Sequence, residues 1–393
     1  MRHLAGIISL ALACGLAGYA VPTTAADIEI PVVNSLTGNG AFLGNQQKQT
    51  LQIIEKTIND AGGIRGNNVR FTFHDDQSKP QVAVQLLTEI AASKVVAVMG
   101  SSLAATCNAM APLVKNGPVM YCFSAAMQPA PGTYAFSAGV STHDQADALL
   151  KYFHLKGWNR IALISSTDAS GQDGDRAFNE LFARPDYKDL KLVAHVNFNL
   201  SDVSVSAQME QIRAADPQAL IAWTIGTPAA TVFRGMIQAG IELPVGTSGG
   251  NMNFAQIEQF ASFLPKELYM MNPEWPAGGD PRFHLDPKVQ ARQRELYATY
   301  EKAAIKLDAG AVVAWDPAGI LVEGLRQLPP DATAGQLREW MAHLRYAGVH
   351  GLYDFEKTPQ RGLDVDNVLV ARWDAAANTW KVVSEPGGAP LAE

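Results

Sequence analysis

From Asp27 onward the chain alternates apolar runs of strand length with amphipathic runs of helical spacing, joined by short turns. Parallel strands cannot be joined by hairpins and need a crossover, so this order predicts an α/β fold with parallel sheets covered on both faces by helices. The strand candidates are Ile28 to Val33, Val69 to Phe73, Val95 to Gly100, Val119 to Phe123, Ile161 to Ser165, Leu192 to Phe198, Ala219 to Thr224 and Pro244 to Thr247. The first helix shows its buried stripe in Leu51, Ile54, Ile58 and Ala61, and Gly62 and Gly63 stop it. In the second, Ser78 followed three residues later by Gln81, with Pro80 between them, predicts a capping box.

The rhythm breaks twice. After Phe136 the polar stretch Ser137 to Asp144 leads into a helix reaching Trp158 and a second strand and helix series, so two similar lobes are expected. After Met271 the loop NPEWPAGGDP precedes two helices, Pro287 to Lys306 and Ala311 to Leu328. A tail of short strands follows: Gly351 to Phe355, Asn367 to Trp373 and Thr379 to Val383.

Residues 1–26 read as a cleaved export signal: a positive start in Met1 to His3, an uncharged apolar stretch from Leu4 to Val21, and the small residues Thr24, Ala25 and Ala26 before Asp27. Cys14, in LALACG, lies near a lipoprotein cleavage pattern, but Ala11 replaces the preferred Leu-like residue. No later apolar run approaches a membrane span. With 47% hydrophobic and 18% charged residues in 393, the chain has material for two cores. Its net charge of −7 and lack of Lys/Arg clusters argue against nucleic acid or an anionic membrane as partner. Beyond the signal only Cys107 and Cys122 remain, an even pair bound for an oxidising compartment, which favours a disulfide over two buried thiols; two cysteines alone make no zinc site.

The turn Gly38, Gly40, Gly44 follows the first strand, where a dinucleotide fingerprint would sit, but its spacing is GxGxxxG, and export removes the cofactor supply. No cofactor is expected. Residues 246–250, GTSGG, match G-x-S-x-G and would make Ser248 the nucleophile of a secreted serine hydrolase, with His284, His343 or His350 and Asp280, Asp308 or Asp316 as partners. The plainer reading is a tight strand-end loop of Gly and Ser. Small polar residues recur at other strand ends: Gly100 to Ser102, Ser124 to Ala126, Thr167 to Gly171 and Gly226 to Pro228. Ligands of open parallel sheets bind outside the carboxyl ends of the strands, so these loops suggest one cleft between two lobes. Phe42 and Trp275 stand in loops where they could wall that cleft, whereas Trp223, on a strand, reads as core.

In order along the chain, SLTGNGAFLG, NDAGGIRG, HDDQSKPQVAV, the GSS loop, FSAAMQP, STDASGQDG and GLYDFEKTPQRG resemble the type I periplasmic solute-binding proteins of ABC importers, in particular the branched-chain amino acid (Leu/Ile/Val) branch. The resemblance implies two doubly wound Rossmann-like lobes joined by a three-segment hinge, with crossings near Thr142, Pro273 and Tyr346. The lobes would be 27–141 with about 274–345, and 142–273 with about 346–393. It further implies a monomeric, non-catalytic periplasmic protein that closes on a small molecule and delivers it to a membrane permease.

By position, the ligand would meet Ser101, Ser102, Leu103, Ala104, Ala125, Ala126 and Met127 in the first lobe, with Leu43 where the family often has an aromatic wall residue. In the second lobe it would meet Ser170, Gly226, Thr227 and Ser248. The family's amino acid binders tend to have an acid near Ser248, a Thr at Met127 and a Tyr at Ser170. This chain lacks all three, and Asp168 is the one acid in these loops that could face a ligand ammonium. Met127, Leu43 and Phe42 suggest an apolar ligand body, so an aromatic or aliphatic carboxylic acid is expected first and a branched-chain amino acid second.

Overall fold

The computed structural model describes residues 27–392, and the export signal read in residues 1–26 lies outside them. Two parallel sheets carry the molecule. The first has the order β2-β1-β3-β4-β5, from β1 (Ile28–Asn34), β2 (Val69–Asp75), β3 (Ala97–Met99), β4 (Val119–Cys122) and β5 (Ala135–Ser137). Every pairing in it is parallel. Helices α1 (Ala41–Asp60), α2 (Pro80–Ala92) and α3 (Ala104–Met110) are its crossovers.

The second sheet has the order β14-β13-β10-β9-β8-β6-β7. Its parallel part is β6 (Arg160–Ser166), β7 (Lys191–Phe198), β8 (Ala219–Trp223), β9 (Val245–Thr247) and β10 (Leu268–Pro273). The intervening helices are α4 (Thr142–Leu155), α5 (Ala169–Phe182), α6 (Ser206–Ala214), α7 (Pro228–Gln238) and α8 (Phe254–Phe260). Four helices follow: α9 (Pro287–Lys302), α10 (Ala309–Val312), α11 (Trp315–Gln327) and α12 (Ala334–Ala342). A two-stranded ribbon, β11 (Arg345–Ala347) with β12 (Leu352–Asp354), precedes β13 (Val368–Asp374) and β14 (Thr379–Val382), which extend the second sheet in antiparallel sense. Each sheet reverses its strand order once, between β1 and β3 and between β6 and β8, and the crevice outside such a reversal is where an open α/β sheet binds ligands.

The sequence missed β5 and β10. The first is only three residues long. The second, LYMMNP, is buried along its whole length and shows no alternation, because both faces are covered. Ser78 does not cap α2 either. Its backbone is left-handed at φ 58°, the cap position falls on Lys79, and its hydroxyl instead donates to Thr37 O (2.7 Å) while accepting from Gly40 N (3.1 Å). A capping signature has thus been diverted to hold the glycine turn after β1.

The ribbon and the segment after it pack on the first lobe: Phe355 meets Phe136 of β5 edge-on at 5.8 Å, and Ser137 N donates to Gln360 O (2.9 Å). The aromatic side chains of this segment complete the core beside the short edge strand β5, and the chain enters the second sheet only at Val368. Residues following β10 likewise stay with the second sheet, where Ala277, Phe283 and Leu285 cluster with Leu369 and Val382.

Candidate functional site

The carboxyl ends of the two sheets face each other across a cavity of about 80 Å³. The first wall is organised around Asp76, fully buried just after β2. It accepts hydrogen bonds from Ser35 Oγ (2.8 Å), Ser78 N (2.7 Å) and Ser101 Oγ. Burial pushes its carboxyl above the usual range, and these donors oppose the rise. Ser101 is thereby turned inward, and Ser102 becomes the residue that faces the cavity. Its Oγ lies between Gln47 Oε1 (2.6 Å) and Asn34 Oδ1 (3.1 Å), and Asn34 is anchored through Nδ2 to Gly44 O (3.1 Å).

Cys107 and Cys122 are bonded to each other behind this loop, their Cα atoms 6.1 Å apart and both sulfurs against the Ser101 carbonyl. After β4 the wall continues through Phe123, Ser124 and Ala125. The Ser124 hydroxyl is buried and has no hydrogen-bond partner among the described residues. Behind Ala125 the buried guanidinium of Arg361 donates to the carbonyls of Ala125 (3.2 Å), Met127 (2.6 Å) and Gly139 (3.4 Å). Burial pulls its pKa down to about 10, against the opposing pull of Asp144 and Asp173. It ties the loop after β4 to the first crossing.

The second wall is built mainly from backbone. Ile225 and the run Ser248, Gly249, Gly250 line it. A Cβ on Gly249 would sit 1.9 Å from Met271 O, so only glycine lets this loop lie on β10. Gly249 is held from both sides, its N–H by Gln145 Oε1 (3.3 Å) and its carbonyl by Asn272 Nδ2 (3.3 Å). Asn251 pins the neighbouring loop, accepting from Gly226 N (2.9 Å) and donating to Thr224 O (2.8 Å). Ser248 Oγ accepts from Gly250 N (3.4 Å). At the hinge, Gly139, Val140, Pro273 and His350 close the base.

Direct contacts join the two sides: Ala309 N to Met252 O (2.9 Å), Phe254 N to Asp308 Oδ2 (3.3 Å), Asn253 Nδ2 to Phe42 O (3.4 Å) and Gln128 Nε2 to Asp173 Oδ2 (3.4 Å). Asp308 is buried at this junction, and burial raises its carboxyl to about 7.

Of the residues singled out in the sequence, Leu43, Ser102, Ala125 and Ser248 line the cavity. Ser101, Leu103, Ala104 and Ala126 belong to the same loops but do not line it; Leu103 is half-buried and the other three are buried. Met127 is packed in the core of the first lobe, and Phe42 meets the second lobe through its carbonyl. Trp275 does not wall the cleft: it is 2% exposed, packed in a core with Leu296 and Tyr300, and its Nε1 donates to Asn272 Oδ1 (3.3 Å). Asp168 is not aimed at a ligand either. It caps α5, accepting from Gly171 N (3.3 Å) and Ser170 N (3.4 Å), with Ser166 Oγ as a further donor. Ser170 lies buried in that first turn, Thr227 is exposed at the start of α7, and Gly226 faces Asn39 of the opposite lobe; none of them lines the cavity.

Sequence reasoning missed Gln47, Gln145 and Asn272, and it named His350 only as a partner for Ser248. Gln47 and Gln145 carried a readable signal, since each occupies a helical stripe position, Gln47 between Leu43 and Leu51 and Gln145 one turn before Leu149. A polar residue on an apolar stripe is either satisfied in the core or aimed at a site. Among the described residues, the cavity lining contains no Asp, Glu, Lys or Arg, and His350 is its one titratable side chain.

The family model for periplasmic binding proteins matches residues 27–378. A Leu/Ile/Val-binding protein homologue of Brucella melitensis is 37% identical over 75 residues, 19% of this chain and 20% of that protein. The alignable sequence thus spans about a fifth of the length of that curated relative. Likeness of fold extends much further. A solute-binding protein of Rhodopseudomonas palustris in complex with benzoate superposes with a TM-score of 0.77 at 17% identity, covering 94% of this chain and 98% of the other. The branched-chain amino acid transporter substrate binding protein LivJ of Streptococcus pneumoniae, in complex with isoleucine, superposes with a TM-score of 0.73 at 17% identity, covering 91% and 99%. With the two facing sheets, the cavity at their reversal points and a family match over nearly the whole described chain, this protein belongs to the periplasmic binding proteins and has their type I, two-lobed fold.

Proposed function

We propose that this protein is the binding component of an ABC importer that captures a small organic acid lacking an α-amino group, by closure of the lobes around the cavity. The observation that carries the reading is the chemistry of the lining. It offers the unpartnered hydroxyl of Ser124, the hydroxyls of Ser102 and Ser248, and the amides of Gln47, Gln145 and Asn272, but no carboxylate. A buried ammonium without a carboxylate partner costs several kcal/mol, because desolvating a charge is offset only by pairing and hydrogen bonding. A carboxylate, by contrast, finds hydroxyl and N–H donors on both walls.

Size points the same way. The cavity of about 80 Å³ is roughly half the ~150 Å³ that accommodates a benzene in an engineered apolar cavity, which favours the short, aliphatic end of the acid series. The apolar remainder of such a ligand would lie against Leu43, Phe123, Ile225 and Val313. Since the ligand bridges both walls, it stabilises the closed arrangement by its preference for that state, which is the signal a membrane permease would read.

The hydrolase reading of Ser248 has less support. Its hydroxyl accepts from Gly250 N, and among the described residues it has no hydrogen bond to a histidine. A thermal-shift screen over carboxylic acids of two to seven carbons, their amides and the corresponding amino acids tests the proposal. Acids should give the largest upward shifts. Shifts produced by leucine, isoleucine or valine alone would replace it with the branched-chain amino acid reading.

A further inference from the structure

Asp316 stands in the first turn of α11 and His350 in the loop between β11 and β12, and both are buried. The Asp316 carboxylate accepts from Val349 N (2.9 Å), His350 N (2.9 Å) and Tyr353 OH (3.1 Å), and His350 Nδ1 lies 3.0 Å from its Oδ2. The loop passes so close that a Cβ on Gly348 would lie 2.4 Å from Asp316 Oδ2. Two backbone donors already hold this loop to the carboxylate, so the ring contact is not needed to position the chain. It does fix the ring. Tyr353 OH donates to Asp316 Oδ2 and lies 3.2 Å from His350 Nδ1, so it accepts from Nδ1; that places the proton on Nδ1 and leaves Nε2 as the remaining polar edge.

Among the described residues Nδ1 has Asp316 and Tyr353 as partners and Nε2 has none. The ring is 2% exposed and the residue lines the cavity, so the cavity is where a ligand can reach Nε2. We infer that the Nε2 edge of His350, oriented by Asp316 at the hinge, recognises the ligand's carboxylate and sets the preference for acids over their uncharged analogues. This rests on the proposed capture of an organic acid and assigns that recognition to one side chain. The ring would then lie between two carboxylates, Asp316 behind it and the ligand in front, in a lining that otherwise offers no Lys or Arg. The position also links capture to closure, because Glu274 N donates to His350 O (3.2 Å) one residue after Pro273, at the second crossing.

Calorimetric titration of the exported protein with propionate and propionamide, and with butyrate and butyramide, provides the test. The wild type should bind each acid at least ~10-fold more tightly than its amide, a difference of ~1.4 kcal/mol. His350→Gln should bring the ratio within about 3-fold by weakening the acid while leaving the amide nearly unchanged. If His350→Gln binds acids but keeps the full ratio, the assignment to His350 is wrong and the proposed function stands. If the wild type binds no acid, both fall. Should the variant fail to fold, ¹⁵N spectra of the wild-type histidine rings decide the matter. An imidazole resonance pair should move on adding propionate and not propionamide, and unchanged rings at saturating propionate would overturn the inference.

Discussion

The two walls of the cavity do the same work by different means. The first is made by side chains: a buried acid, Asp76, gathers Ser35, Ser78 and Ser101, and a chain of amides and hydroxyls from Asn34 to Gln47 presents Ser102. The second is made by backbone, with Gly249 pressed against Met271 O and its peptide groups held by Gln145 and Asn272. A wall of side chains can be retuned residue by residue, because each hydroxyl is a separate donor. A wall of backbone cannot, since a Cβ at its centre displaces the strand beneath it. Ligand preference should therefore be set mostly by the first wall and the hinge, and closure geometry by the second.

The largest effect should come from breaking the backbone wall. Gly249→Ala places a methyl carbon into Met271 O, and we expect a loss of ~3 kcal/mol in chemical denaturation together with loss of ligand binding. A variant with wild-type stability would show that the second wall is as adaptable as the first. Next is Asp76→Ala, which strands the hydroxyls of Ser35 and Ser101 and the N–H of Ser78; a cost of ~2 kcal/mol is expected, read from the same denaturation curves.

Ser124→Ala sharpens the contrast, because its hydroxyl has no hydrogen-bond partner among the described residues. Stability should stay within ~0.5 kcal/mol of wild type while affinity for the ligand falls ~10-fold, the separation expected of a group kept for a ligand. The smallest effect is that of pH on the junction between the walls. Burial raises both Asp308 and Glu274 to about 7. Because the folded values exceed those of an unfolded carboxyl, this contribution is fully present below about pH 4 and is lost as pH rises through about 7. The unfolding midpoint should then climb by a few degrees between pH 8 and pH 6, and Asp308→Asn should flatten that slope.

The alternation of strands and helices was readable because parallel βα units leave long apolar runs punctuated by turns. What escaped were the elements whose pattern is erased by full burial, such as β10, and the strand too short to show one, β5. In the site, strand-end serines and small residues could be found from position alone, which reached Ser102, Ala125 and Ser248. Position could not say which way a side chain turns. Asp168 and Ser101 occupy loops of the right kind yet are consumed by a helix cap and by Asp76, and Trp275 turns from its loop into the core. His350 was named in the sequence only as a partner for a nucleophile. Its place at the base of the cavity depends on a hinge segment that packs on the first lobe, a contact far apart in sequence.

The central claim is that this cavity accepts a carboxylate and has no place for an ammonium. Titration calorimetry with a matched pair, 3-methylbutanoate and valine, isolates that one group on an identical carbon skeleton. The acid should bind at least ~10-fold more tightly, a gap of ~1.4 kcal/mol. Valine binding as tightly as the acid, or more so, would contradict the account.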